Sequence, residues 1–404
     1  MFQPGELLVQ KFGGSSMAGP ERITRVAERI AEQARSGKRL AIVVSAMGDT
    51  TDDLIALLHQ ITTDPDPREL DQLMATGEIV SCSMAVCALQ KLGIQAKSYN
   101  AFNLGIRTDG RFGSAEITAF EHLPDLARFL EPGHVAVVAG FQGITDAGDL
   151  VTLGRGGSDI TAVALARDLG QKVCEKYTDE DGIYTADPRV IPTAKKVWHL
   201  DYAEMETLAR YGNGILHPRS IAYARESSIR IHVRSSFSRD EGSVVGPDGD
   251  PSIPIKSIAA DRKQAVMVMD GVRGPCDLAG IGAGPDGFTA TAREWRSFDG
   301  IRGSIRAGFK TAESFNAVPW MWQEAARLSA EEVRFSSRVV FLTLAGAGFR
   351  NDDRHVGLLR LRLEEIGIVP HLVEHDGDRL TIVVDADQSA EAMHRLHAAL
   401  LTAA

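Results

Sequence analysis

Two glycine turns in this chain carry the residues best suited to chemistry. Lys11-Phe12-Gly13-Gly14-Ser15-Ser16 sets a lysine beside two glycines, and Leu153-Gly154-Arg155-Gly156-Gly157-Ser158-Asp159 sets an arginine among three. Glycine lets an anion reach the backbone, and a helix N-terminus offers unpaired N–H groups with about half a positive charge. The second turn runs without a linker into an apolar segment from Ala162 with Leu165, Ala166 and Leu169. It therefore reads as docked on a helix that starts near Ile160, with Ser158 or Asp159 placed to cap it. The chemistry implied is the holding of phosphate. Neither turn is a GxxxxGK[ST] loop or a GxGxxG fingerprint, and either one alone could be a tight strand-to-helix turn with no ligand. Gly282-Ala-Gly-Pro-Asp-Gly287 does fit GxGxxG, but no strand leads into it and Pro285 interrupts it, so it reads as a decoy.

Turns of this kind need strands to deliver them and helices to receive them. Leu7-Leu8-Val9 reads as a buried strand running into Gly13-Gly14, and Pro20 opens a helix with Ile23, Val26, Ala27 and Ile30 at helical spacing and Gly37 as its stop. Residues 40–46 and 135–139 read as further strands, with a helix around Leu54, Leu57, Leu58 and Ile61 after the first. Strand, loop and helix in repetition give an α/β fold, a three-layer αβα sandwich with a largely parallel central sheet. Sites in such sheets lie at the carboxyl ends of the strands, where this chain puts its glycines.

Residues 246–254, GPDGDPSIP, form a turn-rich linker. The expected division is a first domain over 1–246, a linker over 247–254 and a second region over 255–404. In that region 265–269 reads as a strand and 271–309 gives no clear element. Further on, 339–344 reads as a strand, followed by a helix bearing Val356, Leu359, Leu363 and Ile366, strands at 368–373 and 380–384, and a helix through Leu396. This is a small α+β layer.

Composition removes several function classes. With 404 residues, 44% of them hydrophobic, the chain can bury at least one full core, and a formal net charge of -10 argues against nucleic acid or an anionic membrane as partner. Cys82, Cys87, Cys174 and Cys276 match neither a zinc site nor a CxxC pair, and the histidines form no metal set. No consecutive apolar run reaches the roughly 18 residues of a membrane span, so a soluble, cytoplasmic protein is expected.

Ordered motifs carry a resemblance. KFGGSS (11–16), VVSAMGDTTD (43–52), TGE (76–78), LGRGGSDITA (153–162), YTDEDGIYTADPR (177–189), YGNGILHPRS (211–220) and VRSSFS (233–238) together resemble the aspartate kinases of the amino-acid kinase family, over about the first 240 residues. The resemblance implies phosphoryl transfer from MgATP to the side-chain carboxylate of L-aspartate, giving 4-phospho-L-aspartate, on an amino-acid kinase fold followed by C-terminal ACT-like domains. A carboxylate is already ionised at neutral pH, so this chemistry needs charge neutralisation and alignment rather than a general base.

Carried over position by position, the resemblance implies that Lys11, with Gly13, Gly14 and Ser15, neutralises the transferring phosphate, with Gly156 and Gly157 beside it. Asp159 would organise the catalytic lysines and the magnesium region. Arg155 would grip the substrate α-carboxylate and Glu78 its ammonium, while Ser45, Thr51 and Ser158 would complete the substrate site. Thr178 and Asp179 would contact the adenosine side, Tyr184 the ring and Arg189 the phosphates. His217, without a partner at catalytic spacing, reads as structural.

Two departures stand out. The family usually carries a lysine two positions before the leucine of its LHP motif, near the phosphates; here that residue is Gly214, and Ile160 replaces a usual threonine. The C-terminal region, as two degenerate ACT-like repeats of about 255–335 and 336–404, shows similar turn chemistry without the family's effector-contacting pattern. That implies weakened lysine or threonine feedback, an enzyme suited to a specialised pathway, and at least a homodimer through this region. A kinase of the same family for another amino acid or carboxylate, and a non-catalytic regulatory subunit, stay open at this point.

Overall fold

The computed structural model describes residues 6–250, 252–273, 290–297, 302–310, 322–349, 359, 361, 363–365 and 367–401. Two compact units divide the chain. One holds Met1–Ile183, Lys196–Glu206 and Ile215–Gly249; the other holds Tyr184–Lys195, Thr207–Gly214 and Asp250–Ala404.

The first unit is built on an eight-stranded sheet. Its leading strands are β1 (Leu7–Phe12), β2 (Arg39–Val44) and β3 (Ala96–Tyr99), and a smaller four-stranded sheet comprises β4 (Ile106–Thr108), β5 (Ile117–Phe120), β7 (Gln142–Ile144) and β8 (Leu150–Thr152). Between these in the chain lies β6 (Val135–Ala139), and then follow β9 (Val173–Thr178), the short β10 (Ile183–Tyr184) and β11 (Lys196–Val197), β12 (His199–Asp201), β13 (Arg230–Ser235) and β14 (Ser243–Gly246). The large sheet runs β12-β14-β13-β9-β1-β2-β6-β3. Every neighbouring pair is parallel except β13 with β14. Residues 40–44 and 135–139 are buried on both faces, as parallel strands between helical layers must be.

Two helical layers complete the sandwich. On one face α1 (Pro20–Arg35) brings Ile23, Val26 and Ile30, and α3 (Pro67–Lys91) brings Cys82, Val86 and Leu89, against Phe12, Leu40, Ile42, Val44 and Val137. The fully buried Leu89 makes Leu89→Ala a change of about 2–5 kcal/mol. On the other face α6 (Gly157–Asp168), buried from Gly157 through Ala166, lies against β1, β2 and β9. A helix apolar on all sides belongs inside. The remaining helices are α2 (Thr50–His59), α4 (Ala101–Leu104), α5 (Leu123–Leu130), α7 (Tyr202–Arg210) and α8 (Pro218–Glu226). At 25 residues α3 has the length and apolarity to cross a membrane. Its buried Asp71 and Glu78, bonded into this unit, mark it instead as a core helix.

Several boundaries differ from the sequence expectation. The first strand continues through Lys11, and α6 begins at Gly157 rather than near Ile160. Neither Ser158 nor Asp159 caps that helix. Gly156 occupies the cap position in the left-handed region, at φ 78°, and no side chain bonds the cap. The helix built on Leu54–Ile61 exists as α2, yet none of its residues is fully buried.

The second unit contains two antiparallel four-stranded sheets. β15 (Ser257–Asp261), β20 (Val339–Ala345), β22 (Arg379–Asp385) and β21 (Leu372–Asp376) form one in that order; β17 (Ala292–Ser297), β18 (Arg302–Lys310), β16 (Gln264–Arg273) and β19 (Glu332–Ser336) form the other. A C-terminal helix, α9 (Ser389–Leu400), packs Met393 and Leu396 on Leu342 and Ile382. β21 starts at Leu372, four residues later than expected, because Pro370 has no N–H to give a ladder. Val356, Ile366, Cys276 and the decoy 282–287 lie outside the described residues. The architecture is α/β, a three-layer sandwich with a largely parallel sheet plus a small-sheet α+β region.

Candidate active site

The centre of the first unit is a charged triplet. Lys11 on β1 and Lys176 on β9 are register partners in the parallel ladder, and both side chains turn toward α6. There Asp159, in the first helical turn, receives them: Lys11 Nζ lies 2.7 Å from Oδ1 and Lys176 Nζ 2.6 Å from Oδ2. All three are buried. Burial alone would raise the Asp159 pKa, but the two ammonium groups outweigh it and hold the carboxyl at about 2. Burial, seconded by Lys11, pulls Lys176 below the ordinary lysine value despite Asp159. Lys176 also donates a hydrogen bond to Oδ2, whereas Oδ1 accepts no aligned hydrogen bond. Lys11 is the ion-pair partner of Oδ1. Two cations against one carboxylate leave the pocket ready for an anion.

The turn before α6 is clamped from three sides. Asp71, buried on α3, accepts from Gly113 N–H at 2.7 Å and from Thr152 N–H and Oγ1, each at 2.8 Å. Arg219 donates to the Leu153 carbonyl at 2.6 Å. At Gly156 the φ of 78° excludes ordinary side chains, and a Cβ there would lie 2.6 Å from the Cβ of His217. His217 caps α8 by accepting the Arg219 N–H at its Nδ1, 3.3 Å away, so the ring is structural here and neutral at that nitrogen. Burial, then Arg219, lowers its pKa. Held in this frame, Arg155 is exposed, and among the described residues no carboxylate pairs with it. Most other arginines of the unit's surface have such partners.

Donors expected to face a phosphate are partly used by the turns themselves. Gly13 N–H bonds the Tyr177 carbonyl at 3.1 Å, Gly157 N–H the Gly154 carbonyl at 2.9 Å and Asp159 N–H the Gly156 carbonyl at 3.0 Å. Gly13 therefore gives space, not a donor: a Cβ on it would sit 3.7 Å from Lys11 Nζ. Gly14 instead bonds by its carbonyl to Gly48 N–H. Ser158 is buried with Gly140 pressed against it, where an added Cβ would fall 2.7 Å away.

On the β2 side, Ser45 bonds its N–H to the Phe12 carbonyl, and its own carbonyl accepts Ser81 Oγ at 2.6 Å. Glu78 takes the Ala46 N–H at 3.0 Å on Oε1, and its Oε2 is buried with no partner. Gly77 makes this approach feasible, since a Cβ there would be 2.8 Å from that of Ala46. Burial pushes the Glu78 carboxyl up to about 7, against the pull of the Ala46 N–H and, more weakly, of Lys11. Thr51 lies half-buried in the first turn of α2.

Beyond β9, Asp179 accepts from Ser15 Oγ and Thr178 Oγ1, each at 3.0 Å. These hydroxyls overcome partial burial and lower its pKa. Of the residues singled out from sequence, Lys11, Gly13, Gly14, Ser15, Ser45, Thr51, Glu78, Arg155, Gly156, Gly157, Ser158, Asp159, Thr178 and Asp179 all belong to the first unit. Tyr184 and Arg189 belong to the second, where Arg189 is forked onto Asp187 with contacts of 2.9 and 3.0 Å. Sequence reading missed Lys176 and Asp71. A lysine in VCEKYT, directly before the Thr178-Asp179 segment, was the available signal for the first.

The sequence pattern of the amino acid kinase family matches residues 6–235. The chain belongs to the amino acid kinase family. Among curated relatives of this kinase is an aspartokinase of Mycolicibacterium smegmatis, 37% identical over 97% of this chain and 96% of its own length. An aspartokinase of Thermus thermophilus is 47% identical over 68% of this chain and 65% of its own. The crystal structure of E. coli aspartokinase III with aspartate and ADP superposes with a TM-score of 0.73 at 23% identity, covering 98% of this chain and 100% of that one. At that identity the likeness speaks for the fold, a sandwich with ACT-like small sheets after it. The chain is an ATP-dependent kinase.

Proposed function

We propose that this kinase transfers the γ-phosphate of ATP to the side-chain carboxylate of L-aspartate, giving 4-phospho-L-aspartate. The observation that carries the reading is the buried Lys11–Asp159 pair in one unit with the unpartnered Glu78 Oε2 and the unpaired Arg155. Arg155 would take the α-carboxylate in a fork and Glu78 the α-ammonium, a pair that selects an amino acid. Ser45, Thr51 and Ser158 would fix the rest of the acceptor. The relatives named aspartokinase support aspartate as that acceptor.

In the transfer, a side-chain carboxylate oxygen attacks the γ-phosphorus while the bond to the bridging oxygen of the β-phosphate breaks, and ADP leaves with that electron pair. No proton moves. The obstacle is repulsion between anions, which Lys11 lowers by standing beside the transferring group, with Asp159 fixing where its ammonium points. Thr178 and Asp179 would hold the nucleotide's adenosine side, with Ser15 as a further nucleotide contact. Among the described residues no three acidic, histidine or cysteine side chains converge on a metal, so Mg2+ would be carried chiefly by the phosphates with Asp159 as the nearby carboxylate. When bound, the ion supplies further charge neutralisation on those phosphates.

Incubating the purified protein with MgATP and L-aspartate in hydroxylamine and scoring the hydroxamate tests this. Product with aspartate and not with glutamate is expected. Product with another amino acid alone would reassign the acceptor, and none with any would point to a non-catalytic subunit. We further propose a cytoplasmic homodimer, joined through the 255–404 region, with weakened lysine and threonine feedback suited to a specialised pathway.

A further inference from the structure

The kinase reading uses Lys11 and Asp159 and leaves unexplained why a second lysine is buried in the same pocket. Lys176 sits on the strand beside β1, opposite Lys11 in the ladder, with its ammonium 2.6 Å from the other oxygen of the same carboxylate. A single buried carboxylate balances a single buried lysine. Burying a second ammonium costs several kcal/mol unless a further anion completes the set. We propose that Lys176 is a catalytic residue, a second cation that contacts the transferring phosphoryl group from the β9 side while Lys11 contacts it from the β1 side. The proposal rests on the phosphotransfer reading of this pocket.

Geometry supports a ligand role over a purely structural one. Both lysines project from neighbouring strands near the carboxyl end of the sheet, and Gly13 leaves open space beside the Lys11 ammonium. Asp159 spreads its two oxygens between them, which holds the ammonium groups apart as two fixed points of a clamp. A tetrahedral phosphoryl group offers several oxygens at once, so two cations from one side distribute the charge that builds up in transfer. The burial that depresses the Lys176 pKa also strengthens its pull on an anion.

The test compares the wild type with Lys176→Met, and with Lys176→Gln, which keeps a donor for Asp159 should the Met variant fail to fold. Two readouts are taken: kcat and KM for aspartate, and by calorimetry the affinity for a non-hydrolysable ATP analogue relative to AMP. Loss of kcat by about 100-fold or more, with KM for aspartate within about 3-fold and the preference for triphosphate over monophosphate cut by about 10-fold or more, is expected. A folded variant that turns over within about 3-fold of wild type, or that keeps the wild-type preference, overturns the proposal. Because the nucleotide ratio is read without an acceptor, it decides the role of Lys176 even if the aspartate reading itself fails.

Discussion

Individual side chains in this pocket act through charge buried away from water, and three predictions follow from that. Lys11→Ala should reduce kcat by about 1000-fold or more, because the cation beside the transferring phosphate goes, while aspartate binding measured by calorimetry stays within a few-fold. Normal turnover in that variant would displace Lys11 from its role. Glu78 gives a pH signature. Its carboxyl titrates near 7 in the folded protein, against an ordinary value of 4.5. Ammonium binding needs the ionised form, so KM for aspartate should climb as pH falls below about 7, approaching ten-fold per unit. Stability runs the other way. Between 4.5 and about 7 the folded state holds the proton more tightly than the unfolded chain, so stability drops as pH rises through that window and then levels off. Glu78→Gln should therefore melt higher than wild type at about pH 8, by an amount on the order of 3 kcal/mol, with no gain at acid pH. Thermal melts at the two pH values check it, and equal shifts at both would sink the burial argument.

At the scale of elements, the turn that bears Arg155 depends on α3, the helix that packs against β8. Asp71 of α3 satisfies two backbone N–H groups and a hydroxyl, one pair of them on Thr152, immediately before the turn. Asp71→Ala would leave those donors unpaired, at about 1–3 kcal/mol for each one that stays buried. The turn would then loosen. KM for aspartate should rise by about 10-fold, more than KM for ATP, since Lys11, Lys176 and Asp159 are anchored on β1, β9 and α6 instead. Equal changes in both constants would mean a general loss of stability. The same elements show what sequence could convey. Helical spacing in α1 and the apolar runs of β2 and β6 were legible because each buries a regular stripe. The start of α6 was not, since Gly156 makes the cap by backbone conformation, which leaves no capping side chain to read. Nor was α3: its buried polar residues Asp71, Glu78 and Ser81 break the apolar pattern for the sake of contacts made far along the chain.

For the whole molecule, the cation inventory and the second unit carry the remaining expectations. The resemblance places a phosphate-side lysine at position 214, where this chain has glycine, while Lys176 appears in the buried triplet. A Cβ on Gly214 would meet nothing within 4 Å, so the site can accept a side chain. Gly214→Lys should therefore fold as well as the wild type, with a stability change of no more than about 0.5 kcal/mol in a thermal melt, and a larger loss would mean that the position is not open.

Two stretches of the second unit, 271–276 and 345–350, carry turn chemistry similar to the family's without its effector-contacting pattern; β16 runs through the first as far as Arg273, and the second is described as far as Phe349. There Gly348 donates its N–H to the Pro254 carbonyl at 2.7 Å, and the Ala345 carbonyl accepts Lys256 N–H at 2.8 Å. A Cβ on Gly346 would fall 2.3 Å from the Pro254 oxygen, and one on Gly348 2.8 Å from the Pro254 side chain. The unit's own chain thus covers this turn, and backbone groups that could hold an amino-acid effector are already bonded. Displacing Pro254 and its neighbours would cost an effector about 1 kcal/mol or more for each hydrogen bond lost before it gained any. Initial rates measured against lysine, threonine and both together should accordingly fall little below millimolar effector. Strong inhibition at lower concentrations would show that the covered turn is not where effectors act, and that feedback survives in this kinase.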